Sequence, residues 1–150
     1  MSKIILWICL CMCFFTLPAI AAEPSAYDVY GKPFYMKQPP GKWVVINYWA
    51  TWCSACVQEI PDLNKFSQFS RNSNVIFFAV NFDQLSDNLQ RDFAKKYGMN
   101  YTLLRNNPLR NLVPEEAISS LPMTYVISPQ GQVQQLFGVQ TAEDLMHMVL

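Results

Sequence analysis

Histidine is almost missing from this chain of 150 residues: His147 is the only one. A lone imidazole near the C-terminus argues against a Cys–His nucleophile pair and against a Cys/His zinc cluster. Charge of either sign is equally unhelpful as a marker. Lys+Arg and Asp+Glu number 11 each, and no run of one sign occurs, so neither nucleic acid nor a membrane surface is advertised as a partner. Charged residues make up only 15% against 51% apolar, which excludes a disordered chain and allows the core of one domain. No internal repeat or low-complexity segment is present. The seven methionines are scattered, which reads as packing and offers no copper-binding cluster.

Cysteine is scarce in a more telling way. Of five, three (Cys9, Cys11 and Cys13) fall in an apolar run from Ile4 to Leu17 that follows Lys3 and precedes Pro18 and Ala19-Ile20-Ala21-Ala22. A positive start, an apolar stretch and small residues at alternate positions make residues 1–21 a secretory signal, cleaved after Ala21. The alternative is an uncleaved anchor, for which the run is short of the roughly 20 apolar residues a bilayer span needs. Ile8, Leu10 and Met12 precede the three cysteines, where a lipoprotein signal would need a small residue. One domain, 22–150, then keeps two cysteines, Cys53 and Cys56. A three-residue loop gains little from cross-linking, so such a bridge reads as one meant to open and close.

The runs Trp43–Trp49 and Val75–Asn81 predict buried strands. Between them Ala55, Cys56, Ile60, Leu63, Phe66 and Phe69 recur at helical spacing, with Arg71–Asn74 ending the helix and Pro61 kinking it. Ser86-Asp87 caps a second helix that ends at Gly98 and carries Leu89, Phe93 and Tyr97 on one face. Residues 101–104 suggest a short strand, and Asn107-Pro108 the start of another helical piece. Met123–Ile127 and Gln132–Phe137, joined by Ser128-Pro129-Gln130-Gly131, predict an antiparallel hairpin. Thr141 with Asp144 opens a C-terminal helix. Asp28 to Met36 around Gly31-Lys32 suggests a small N-terminal hairpin. This order implies an α/β domain, a mixed sheet with helices on both faces.

The first long strand runs into Ala50-Thr51-Trp52-Cys53, and the helix begins inside the motif. Cys53 therefore sits at a helix N-terminus, where free N–H groups and the helix dipole favour a thiolate. It is the candidate nucleophile. Cys56, one turn in and more buried, is suited to resolve a mixed disulfide.

The run Lys42 to Pro61, with Trp49-Ala50-Thr51-Trp52-Cys53-Ser54-Ala55-Cys56 at its centre, resembles the TlpA/ResA/DsbE-type thioredoxin-like proteins. So does Ser120-Leu121-Pro122-Met123-Thr124-Tyr125-Val126-Ile127. The resemblance covers nearly the whole of 22–150. It implies a thioredoxin fold: a central mixed β-sheet flanked by helices, with an N-terminal β-hairpin extension and an αβ insert. It implies a thiol:disulfide oxidoreductase of the bacterial envelope, a reductase in many members, with a part in cytochrome c maturation. By the same resemblance Pro122 is a cis-proline facing the cysteine pair, so that Leu121 offers its backbone to a substrate strand. Glu59 is a proton carrier for Cys56, on the same side of the helix. Asn47 replaces the buried Asp of thioredoxins proper.

Trp52 is expected to line the surface around Cys53, Met123 to touch a partner, Trp49 to be core and His147 to be surface or packing. Expected partners are disulfide-containing exported proteins and a membrane electron donor of DsbD/CcdA type, with no nucleic acid, no cofactor and no metal, the protein acting as a monomer in the periplasm or envelope. Two features depart from the resemblance. Ala55 stands where Pro often precedes the second cysteine, and Asn106–Ser120 is longer, with an extra Pro114. Three other readings remain. A DsbA-like oxidase needs a large helical insertion for which the stretch from Asn81 to Pro122 is too short. A peroxidase needs Thr and Pro where Ala50 and Ile46 stand. A Cu(I) chaperone could use the two thiolates, which suit that soft ion.

Overall fold

The computed structural model describes residues 23–37 and 41–150; the expected signal segment lies outside the described residues. The elements are β1 (Ala26–Tyr27), β2 (Pro33–Phe34), β3 (Trp43–Trp49), α1 (Ser54–Arg71), β4 (Val75–Asn81), α2 (Asp87–Tyr97), β5 (Thr102–Leu104), a 3₁₀ turn (Glu115–Ala117), β6 (Met123–Ile127), β7 (Val133–Phe137) and α3 (Ala142–Val149).

Five strands form one sheet in the order β5-β4-β3-β6-β7, with β3–β4 and β4–β5 parallel and the rest antiparallel. The sheet is covered on both faces, which is why β3 reads as a continuous apolar run without alternation. Val44, Val45 and Ile46 are all fully buried. One face packs on the helices: Leu63 and Phe66 of α1, Ala94 of α2, and Leu145 and Val149 of α3 cluster with Val45, Trp49, Phe77 and Ala79. Phe66 meets Phe77 edge-on at 5.3 Å. Burying a side chain of this size contributes roughly 1.5–3 kcal/mol.

The opposite face departs from expectation. Val44, Ile46, Tyr48, Phe78 and Val80 are covered by Leu109 and Val113, together with Ala26 and Phe34 from the β1–β2 hairpin. The helical piece expected at Asn107-Pro108 is a turn. Asn107 Oδ1 accepts the Leu109 N–H at 2.8 Å and its amide donates to Val113 O at 2.9 Å. A side chain that satisfies nearby backbone groups in this way competes with helix. α2 also turns differently from its periodicity. It packs through Phe93, stacked on Trp49, with Gln90 and Ala94 buried, and leaves Leu89 and Tyr97 exposed.

α1 continues through Pro61 to Arg71. Thr141 caps α3 by accepting the Asp144 N–H at 3.1 Å. The β1–β2 hairpin lies along β5: Val29 N–H donates to Leu103 O and Arg105 N–H to Tyr27 O, both at 3.0 Å, and Asp28 bridges Leu104.

Candidate active site

β3 ends at Trp49, and the chain turns through Ala50, Thr51 and Trp52 before α1 begins. Cys53 is the N-cap of α1, in extended conformation, and its Sγ accepts the Cys56 N–H at 3.1 Å. An N-cap acceptor satisfies one of the orphan donors of the first turn; here that acceptor is the sulfur itself. Cys53 and Cys56 form a disulfide with Cα atoms 5.3 Å apart, and both are buried. Trp52 is 68% exposed beside them. An N–H aimed at sulfur at a helix start lowers the free energy of a thiolate there once the bridge is opened.

Glu59 lies one turn beyond Cys56 and is fully buried. The Asn47 amide, in the middle of β3, donates to Glu59 Oε1 at 2.7 Å and also to Thr124 Oγ1 at 3.2 Å. The Gln140 N–H donates to Glu59 Oε2 at 3.2 Å. Burial pushes the Glu59 carboxyl up to about 7, against the lowering effect of the hydrogen bonds from Asn47 and Gln140. Such a group exchanges its proton near neutrality.

On the far side of β3, the register pairs Tyr48 with Met123, so Pro122 and Leu121 flank the end of the strand from which the cysteine loop departs. The Leu121–Pro122 peptide bond is cis. Pro122 is buried and Leu121 half-buried. Met123 is a correction. Its side chain is fully buried in the second cluster and offers no surface to a partner, because the first residue of β6 points into the face that Leu109 and Val113 cover. His147 is exposed on α3.

Asp83 is the site residue that the sequence reading missed. Its Oδ2 accepts both the Thr51 N–H at 2.7 Å and the Thr51 hydroxyl at 2.8 Å. The signal was available in the strand register: Trp49 pairs with Asn81, so Thr51 and Asp83 each lie two residues past paired positions. Thr124 and Gln140 were missed as well; Thr124 reaches Asn47 only through the antiparallel pairing of β6, and Gln140 reaches Glu59 only through the loop after β7. A cavity of about 470 Å³ lies beyond the end of β4, lined by Tyr48, Asn81, Gln90 and Arg110 among others, and neither cysteine borders it.

The AhpC/TSA family model matches residues 15–136. The thiol-disulfide oxidoreductase ResA of Bacillus subtilis (strain 168) is 31% identical over 121 residues, 80% of this chain and 66% of that protein. The ResA of Bacillus thuringiensis (strain Al Hakam) is 29% identical over 119 residues, 79% of this chain and 68% of its own. The chain thus spans about two thirds of the length of these relatives. Among solved structures, a thiol:disulfide interchange protein of the thioredoxin family from Chlorobium tepidum TLS superposes with a TM-score of 0.68 at 24% identity, covering 86% of this chain and 96% of that one. With its mixed sheet, its strand-to-helix cysteine pair and these likenesses, the chain belongs to the AhpC/TSA family, among the ResA-like thiol-disulfide oxidoreductases of thioredoxin fold.

Proposed function

We propose that the protein reduces disulfides in exported proteins, apocytochromes c among them, and is recharged by a membrane thiol-disulfide electron donor of DsbD/CcdA type. One observation carries the reading: the sulfur of Cys53 is itself the cap of α1, one turn from Cys56, with the neutral-range carboxyl of Glu59 one turn further on.

In the reduced protein the Cys53 thiolate attacks a substrate disulfide. A Cys53–substrate S–S bond forms, and the other substrate sulfur leaves as a thiolate and takes up a proton. Cys56 then gives its proton to Glu59 and attacks Cys53 Sγ. The Cys53–Cys56 bond closes, the mixed disulfide breaks, and the substrate departs with the two electrons of the dithiol. Trp52 and the Leu121–Pro122 segment supply the surface against which the substrate lies. The absence of either cysteine from the 470 Å³ cavity favours a polypeptide on this surface over a small molecule in that cavity.

The direction of electron flow is supported by the likeness to ResA proteins and by the connection from β4 to β6, which carries a single α-helix, α2. An envelope location is supported by residues 1–21 read as a secretory signal. The reduction potential of the Cys53–Cys56 couple tests the proposal. A value below about −220 mV marks a reductant needing an electron feed; a value near about −120 mV marks an oxidant and overturns it.

A further inference from the structure

The two strands that frame the site leave the sheet in step. Trp49 pairs with Asn81, and the Phe82 N–H still donates to Trp49 O at 2.8 Å beyond the end of β4. One residue later a side chain takes over the backbone's role. Asp83 Oδ2 receives the Thr51 N–H and the Thr51 hydroxyl together, which fixes the backbone at residue 51 and its rotamer at once. Hydrogen bonds to an ionised acceptor are about twice as strong as neutral ones. Burial alone would raise the Asp83 carboxyl, but the bonds from the Thr51 N–H and hydroxyl prevail and hold it below the ordinary carboxylate range. The loop behind it is also held. Asn81 Oδ1 accepts the Leu85 N–H at 3.1 Å, and Gln84 adopts a left-handed conformation with φ 55°.

Thr51 and Trp52 are the whole of the chain between Ala50, fully buried at the strand end, and the cap residue Cys53. A loop this short transmits the placement of Thr51 directly to Cys53 Sγ and to the exposed ring of Trp52. We infer that Asp83 is a positioning residue for thiol-disulfide exchange: by gripping Thr51 at two donors it holds Cys53 Sγ on the Cys56 N–H and presents Trp52 beside it. The inference rests on the exchange reading above. It also makes a distinction within Asp83 itself. Both bonds land on one oxygen, so an asparagine can keep the grip through its carbonyl while losing the charge.

The test uses the full chain, reduced, with Asp83→Ala, Asp83→Asn and Thr51→Val. Two quantities are read: the rate of Cys53 alkylation by iodoacetamide at pH 7, located by mass spectrometry, and the rate of insulin disulfide reduction. Asp83→Ala is expected to slow alkylation at least ~3-fold, because the thiolate loses its fixed N–H partner. Insulin reduction should fall at least ~10-fold, because the attacking sulfur and the docking surface are both displaced. Asp83→Asn should alkylate at or above the wild-type rate, since the grip stays and a nearby negative charge is gone. Thr51→Val, which keeps only the backbone donor, should fall between. Alkylation of Asp83→Ala at the wild-type rate would overturn the inference. So would Asp83→Asn slower than wild type by ~3-fold or more, since charge and not grip would then be the agent; measured against wild type, this arm also decides the matter if the alanine variant fails to fold. A wild-type chain that does not reduce insulin would defeat the reductase reading, while the alkylation ranking would still decide the role of Asp83.

Discussion

The Asn47 amide reaches across the core to Glu59 Oε1 at 2.7 Å, tying the middle of β3 to α1 beneath the disulfide. Thr124 of β6 accepts from the same amide, so β3, α1 and β6 meet at the one buried Asn47 side chain. Asn47 holds down the pKa of Glu59, which burial has already raised. Replacing Asn47 by alanine should therefore move the Glu59 midpoint above its present value of about 7. A titration followed by carboxyl ¹³C chemical shift measures this directly, and an unmoved midpoint would show that the bond contributes nothing to the ionised form.

Glu59 also makes stability depend on pH, with a sign opposite to that of a salt-bridged acid. Folding raises its pKa from the ordinary 4.5 to about 7, so between those values the native chain binds more protons than the unfolded one. The contribution is at its best below the lower value, declines as pH rises through the interval, and levels off above about 7. The loss should be on the order of 3 kcal/mol. Urea unfolding at pH 5 and pH 8 should show it in the wild type, while Glu59→Gln should flatten the dependence. A glutamine variant with the wild-type slope would assign that slope to another group.

The two cysteines should fail in different ways. Cys53→Ser should abolish turnover, since the sulfur that starts the exchange is gone. Cys56→Ser should accumulate mixed disulfides between Cys53 and substrate, visible on a non-reducing gel and by mass spectrometry. Full activity in both variants would end the exchange mechanism.

Trp52 presents a largely exposed indole beside a buried disulfide. Trp52→Ala should change folding stability by less than about 0.5 kcal/mol, as befits a surface position. It should raise KM for a protein disulfide by roughly 3–10-fold, with less effect on kcat, if the ring is a docking contact. An unchanged KM would remove Trp52 from the substrate surface.

How much of this was legible in the sequence varied with the range of the interactions involved. Trp43–Trp49 and Val75–Asn81 announced themselves as strands with correct ends, because both are β-branched and aromatic runs, the first preceded by Gly41-Lys42 and the second by the polar stretch Arg71–Asn74. The capping of α3 by Thr141 is local chemistry, and so was readable too. The turn at Asn107 was not. Pro108 suits a first helical turn, and only the tertiary position of Leu109 and Val113 over the sheet shows that a turn suffices there. The cysteine pair was visible from spacing and context alone. The role of Glu59 was expected only through family likeness and its burial was not foreseen, since Gln140, which donates to it, lies 81 residues away along the chain, and Thr124, which shares the Asn47 amide, lies 65 away. Met123 was misplaced for a related reason. Adjacency to Pro122 in sequence says nothing of which face the first residue of β6 takes.

The hairpin laid along β5 has a consequence for how copies of this protein meet. It occupies the outer side of the last parallel strand, so of the two borders of the five-stranded sheet only β7 lies open among the described residues; β2, two residues long, is the outer strand of the hairpin. Val133 and Phe137 are exposed there, and Val133–Phe137 contains neither proline nor lysine to discourage pairing. Two molecules joining at β7 border to border use up that strand's free side in each. Strand pairing through β7 thus closes on itself as a twofold pair, so a concentrated solution would collect dimers by that route before it collected fibres.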